Sequence, residues 1–224
     1  MAITFTGNSY ITIDNAWTNL TVTTICFWVY INTLNASTNR LVGTDDSWEI
    51  RVTNDWWGTW YFSNELFSSN VTQPPPAHST TVVTINTWYH VTATVDATKF
   101  GQIFINGVLE GSGTSADSPT GTIFSIGNRD SVANQSCNGV MEDIRVYTRV
   151  LSANEITTIY ACRGSDHIFY GLQNRWLLNE GAEGVAITGT GVVKDMIGAR
   201  TGSPVNSPTY TGSRLKKTRH SMYR

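Results

Sequence analysis

The side chains able to do chemistry are few and scattered along the 224 residues. Retaining hydrolysis of a glycosidic bond needs two carboxyl groups about 5–5.5 Å apart. On a strand, that means acids alternating along one face. Glu142 and Asp143 are neighbours, so a regular strand sends them to opposite faces, and Asp46 and Glu49 are also of opposite parity. No G-x-S-x-G elbow, Cys/His pair or phosphate-binding loop is present. His78, His90, His167 and His220 stand apart and read as surface or internally satisfied histidines. Cys26, Cys137 and Cys162 are odd in number and widely spaced, with no C-x-x-C, so neither a full disulfide framework nor a zinc site is expected. Cys26, within Ile25-Cys26-Phe27-Trp28, reads as a small buried hydrophobe. No catalytic residue is expected.

Aromatic residues are the better ligand candidates. Residues 48–52 and 59–62 read as a hairpin whose polar loop, 53–58, carries Trp56 and Trp57. Two adjacent tryptophans in such a loop cannot both enter a core easily. An exposed indole stacks on sugar C–H faces or on another protein, and half-burial of one ring is worth ~2–3 kcal/mol. Trp56, Trp57 and Trp60 are therefore the expected ligand or interface residues; the alternative is a ring folded under the loop as a lid on the core. Charge is the second candidate. Every acidic residue lies at or before Asp195, and the last stretch carries Arg214, Lys216, Lys217 and Arg219. That tail reads as a docking arm for an acidic surface, or simply as a solvated arm. A net charge of −2 argues against nucleic acid as a partner.

These residues need a scaffold, and the composition points to an all-β one. Only 14% of the residues are charged, too few for a disordered chain or a coiled coil. Short alternating runs at 2–13, 21–31, 48–52, 59–62, 79–85, 88–95, 101–105, 108–111, 122–126 and 139–147 read as strands. Asn106-Gly107 between two of them marks a tight hairpin, because a type I′ turn needs positive φ at both positions. One helix is expected near 153–162, opened by the capping box Ser152-Ala153-Asn154-Glu155 and ended by Gly164. No stretch approaches ~20 apolar residues, so no membrane partner is expected. Alternation begins at Ala2 with no charged region and apolar block before it, which reads as a chain made without a secretory leader.

Trp88-Tyr89-His90-Val91, then Asp96, then Ile103-Phe104-Ile105-Asn106-Gly107, resembles the central hairpin of laminin-G-like domains in the concanavalin A-like lectin/glucanase superfamily. Asn138-Gly139-Val140-Met141-Glu142-Asp143-Ile144-Arg145-Val146-Tyr147 and the following Thr148-Arg149-Val150-Leu151-Ser152 are similar to the strand and connector beyond it. The resemblance runs over roughly 3–163 and implies a jelly-roll sandwich of two antiparallel sheets. It also implies a structural calcium in some members; Asp143 and Asp195 match the family's acids, with hydrogen-bonded carboxylates as the alternative. No other cofactor is expected. Gly171 to Gly181, with Trp176 and Leu177-Leu178, resembles the family's lead-in strand, here placed last. A permuted chain, a segment donated to a neighbouring copy with strand exchange into a homo-oligomer, and a truncated repeat all accommodate that order.

The expected organisation is a laminin-G-like jelly roll over 1–163, a segment completing the sandwich over 164–213, and a basic tail over 214–224. The functional expectation is a non-enzymatic virion structural protein, of the capsid-decoration or fibre type found in bacteriophages. It would be made in the host cytoplasm and displayed on the virion surface, with capsid proteins and a host glycan as partners. The alternative is a free microbial carbohydrate-binding module.

Overall fold

The structure, a computed structural model, describes residues 1–17, 21–35, 38–45, 48–55, 57–66, 77–114, 121–128 and 135–213. Two antiparallel sheets face each other. The first runs β10 (Val108–Thr114), β9 (Phe100–Ile105), β8 (Trp88–Val95), β3 (Thr23–Thr33), β12 (Asn138–Tyr147), β1 (Ala2–Phe5) and β15 (Thr209–Thr211), with β13 (Leu172–Trp176) also on β12. The second runs β14 (Ser203–Val205), β2 (Tyr10–Trp17), β11 (Gly121–Ile126), β4 (Thr38–Thr44), β5 (Trp48–Asn54), β6 (Trp60–Leu66) and β7 (Ala77–Val82). Alternating apolar residues from both inner faces, among them Ile3, Phe27, Val29, Trp48, Ile50, Phe62, Val91, Phe124, Ile144 and Trp176, form one continuous core. This is the expected all-β jelly-roll sandwich.

Local chemistry explains most boundaries. Asn106 (φ 52°) and Gly107 (φ 83°) close the tight hairpin between β9 and β10. α1 (Ala153–Cys162) starts at the Ser152/Glu155 capping box, and its Ile156 and Ile159 pack with Cys26, Phe104, Tyr147 and Leu151 over the outer face of the first sheet. The helix end departs from expectation: Arg163, not Gly164, takes the left-handed C-cap position, at φ 48°. The run 2–13 is also not one strand. Gly7 (φ 59°) and the Ser9 N–H to Thr6 carbonyl bond break it, and its halves join opposite sheets.

The last segment supplies strands to both sheets. β13 lies along the C-terminal half of β12, β15 along β1 and β14 along β2. Trp176, fully buried, stacks on Phe124 with ring centroids 5.8 Å apart.

Candidate functional site

The β5–β6 hairpin builds the candidate site. Asp55 is the first residue of its tip, and its Oδ1 accepts hydrogen bonds from the Trp57 N–H (2.9 Å) and the Thr59 N–H (2.8 Å). Its own N–H donates to the Thr59 carbonyl, and Gly58 (φ 78°) completes the turn. A rigid tip thus holds Trp57 out with 90% of its surface exposed. Trp60 goes the other way: it has the parity of core Phe62 and packs half-buried against the core. Trp56 and the tail residues Arg214, Lys216, Lys217 and Arg219 lie outside the described residues.

Behind this tip, the outer face of the second sheet carries a layer that the sequence reading missed. Register places Glu49 opposite Glu65, Arg51 opposite Ser63, Thr53 opposite Tyr61, and Ser63 opposite His78. Two buried carboxylates face to face would repel, but the Arg51 guanidinium lies between them. It donates to Glu49 Oε1 at 2.9 Å and to Glu65 Oε1 at 2.7 Å, and also pairs with Glu65 Oε2. Ser63 donates to Glu65 at 2.6 Å, and Arg40 Nε approaches the other Glu49 oxygen at 3.3 Å. Arg51 fills the space that a scissile bond would need, so this acid pair is a braced floor rather than a hydrolytic site. The only signal was parity: Glu49 and Arg51 share one face, and so do Ser63 and Glu65 on the hairpin partner.

Between floor and tip lies a cavity of about 200 Å³, lined by Thr53, Asn54, Asp55, Tyr61, His78 and Ser79. Burial, reinforced by the Arg51 charge, holds the His78 imidazole below its usual range. Near neutral pH it is therefore an uncharged donor and acceptor. The arrangement combines an exposed indole, a phenol and several short polar groups over an internally neutralised floor. It can stack on and hydrogen-bond to a polar ring; it presents no activated nucleophile.

A second polar layer lies on the outer face of the first sheet, where a further expectation is corrected. Glu142 and Asp143 do not face opposite ways, because β12 bulges between Glu142 and Arg145, with Asp143 at φ 52°. One extra residue restores the alternation beyond it and leaves both acids on the same side. Both line a cavity of about 290 Å³ with Arg163, Arg175, Leu177 and Asn179. Arg175 donates to Asp143 at 2.7 and 3.1 Å, and Arg145 does so at 2.7 Å and, through Nε, at 3.2 Å. Arg145 also reaches Asp166 at 2.9 Å. Burial alone would raise the Asp143 carboxyl, but the two guanidiniums hold it below its usual range. It is an ionised strut, not a proton donor.

Asp195 is equally committed. It accepts from the Asn174 side chain at 2.5 Å and from the backbone N–H groups of Arg175, Ile197 and Arg200. A calcium at Asp143 would sit beside two guanidiniums, and one at Asp195 would displace the donors that shape its loop. Among the described residues no group of three or more His, Cys, Asp or Glu could hold a metal. Asp143 and Asp195 do not fit the calcium that the family resemblance implies.

Fold and surface together define a lectin-type jelly-roll domain. The chain belongs to the concanavalin A-like lectin/glucanases superfamily, in its laminin-G group, and matches that family over residues 5–157. A candidate carbohydrate-binding protein from Bacteroides ovatus superposes with a TM-score of 0.70 at 21% identity, covering 95% of this chain. This chain spans 60% of the Bacteroides protein's length. A native heptameric SAP-like pentraxin from Limulus polyphemus superposes with a TM-score of 0.65 at 13% identity over 94% of each chain. Domain 4 of the GH43 extracellular arabinanase AbnA from Geobacillus stearothermophilus, in complex with arabinotriose, gives a TM-score of 0.50 at 19% identity, over 64% of this chain and 68% of that domain. At these identities the likeness is one of fold. No curated protein matches the chain.

Proposed function

We propose that the protein is a non-catalytic glycan-binding domain whose site is the Trp57 tip and the adjoining cavity on the second sheet. The observation that carries this is an indole 90% exposed on a hydrogen-bonded turn beside a cavity lined by Thr53, Asn54, Asp55, Tyr61, His78 and Ser79. Burying half of such a ring against a sugar is worth ~2–3 kcal/mol. The AbnA domain with arabinotriose and the Bacteroides protein support a sugar as the ligand. A glycan array probed with wild type and Trp57→Ala tests the reading. Binding by the wild type that Trp57→Ala loses upholds it; silence from folded wild type, or binding unaffected by Trp57→Ala, overturns it.

The finer reading is that this domain is displayed on a virus particle. What supports it is the polar, charge-poor composition of an exposed protein and the basic run Arg214, Lys216, Lys217 and Arg219, suited to docking on an acidic shell. Finding the protein in purified particles of its source upholds that placement, and its absence from them overturns it.

A further inference from the structure

A second aromatic residue is held out from the opposite end of the sandwich. Residues 169–172 form a turn closed by the Leu172 N–H to Phe169 carbonyl bond at 3.0 Å. Gly171 supplies the positive φ (75°) at its third position, and any Cβ there would press on the Arg149 side chain at 3.1 Å. Tyr170 is thus at the tip of the turn, with 83% of its surface exposed; Phe169 beside it is 54% exposed.

This turn is fixed from below. Arg149 Nε donates to the Tyr170 carbonyl at 2.8 Å, and the Thr148 N–H donates to the Gly171 carbonyl at 2.9 Å. The Arg149 guanidinium lies 5.1 Å from the Tyr170 ring centroid and is held by two bonds to Glu155, at 2.9 and 2.5 Å. Glu155 is itself fixed by the capping box of α1. The cation lies over the ring while the residue stays largely open to solvent.

The size of the patch limits its occupant. At about 200 Å² per aromatic side chain, Tyr170 and Phe169 together expose roughly 270 Å². A standard protein interface needs about 800 Å² from each partner. A patch this small suits one or two pyranose or furanose rings rather than a protein surface.

We infer that Tyr170 is a second sugar-stacking platform, separate from Trp57. The inference rests on the glycan reading above. The two aromatics flank the sandwich end to end. Trp57 belongs to the end where Trp60 accepts from Val83 and Thr33 pairs with Asn138; Tyr170 belongs to the end where Leu172 pairs with Tyr147. Ten residues of β12 span that interval, about 30 Å. One molecule thereby contacts a polysaccharide at two places, or two chains at once.

Affinity electrophoresis through gels containing arabinan, xylan, laminarin or galactomannan tests this on the full chain. Wild type is retarded by at least one polymer. Tyr170→Ala and Tyr170→Leu, which lack a flat face, bind that polymer about tenfold more weakly, while Tyr170→Phe binds as wild type does. Thermal melting of each variant stays at the wild-type midpoint, because the ring is exposed. Trp57→Ala separates the two readings. If it abolishes retardation while the Tyr170 variants migrate like wild type, the Trp57 site stands and this inference falls. If only the Tyr170 variants lose retardation, this inference stands and Trp57 is not the site. Retardation of wild type by none of the polymers overturns the inference.

Discussion

Acidification should destabilise this protein before any carboxylate titrates, and His90 is the reason. Its imidazole is buried between Trp28 and Tyr160, with ring centroids 5.0 and 6.1 Å away. Burial, aided by the Arg145 charge, pushes its pKa down to about 3 from an ordinary 6.5. A base depressed in the folded state binds its proton preferentially when unfolded. Stability is therefore full above pH 6.5 and is lost as pH falls toward 3. Between pH 7 and pH 5 the loss from His90 is about 2 kcal/mol, at 1.36 kcal/mol per unit. His78 adds in the same direction. Asp143, Asp166 and Asp195 have depressed pKa values, so their stabilisation is complete at pH 5 and fades only at lower pH. Urea unfolding of wild type and His90→Gln across pH 5–7 measures the effect. The variant should lose about 2 kcal/mol less than wild type over that interval, whatever its absolute stability. Parallel curves would refute the reasoning.

Arg51→Ala should cost about 3–5 kcal/mol, because it removes the cation between buried Glu49 and Glu65 and leaves only Arg40 beside Glu49; chemical denaturation reads it directly. Asp143→Ala, which removes the carboxylate between two guanidiniums and leaves Arg145 with only the Asp166 carboxylate and Arg175 with the Gly164 carbonyl, should cost a similar ~3–5 kcal/mol by the same assay. Calcium followed by excess chelator should leave the melting temperature of wild type unchanged, since Asp143 and Asp195 already hold protein donors; a calcium-dependent rise of several degrees would contradict that assignment. Deleting 164–213 should abolish cooperative melting, because the segment carries β13, β14, β15 and the buried Trp176; a truncated protein with a sharp melt would show that the sandwich closes without it.

Fold class was legible because alternation, turn chemistry and capping act locally. Asn106-Gly107 and Ser152/Glu155 did in the structure what their spacing predicts. The break at Gly7 was less legible: the residues on both sides alternate in phase, and only the requirement that the halves join different sheets reveals it. The bulge at Glu142–Asp143 was invisible for a related reason. A bulge inserts one residue into a pattern of period two, and the outer-face partners that tolerate it, Arg175 and Asp166, lie 32 and 23 residues further on. The site divided along the same line. Trp57 was legible as an aromatic in a polar loop, and Trp60 follows its parity with Phe62 toward the core rather than its nearness to the tip. Tyr61 and His78 meet only through the register of β6 and β7, and Tyr170 is set apart from other exposed aromatics by the arginine beneath it.

The placement of β14 and β15 bears on how the chain is made. β1 and β2, translated before the other strands of the sandwich, are complete only when residues 203–211 pair with their outer edges. Until then a nascent sandwich presents two unpaired strand edges, one from each sheet, to every neighbouring copy on the polysome. Slow synthesis of residues 164–211 therefore lengthens exposure to edge-to-edge aggregation, and chaperone occupancy during translation should peak after the helix has emerged and collapse once Thr209–Thr211 is free to dock.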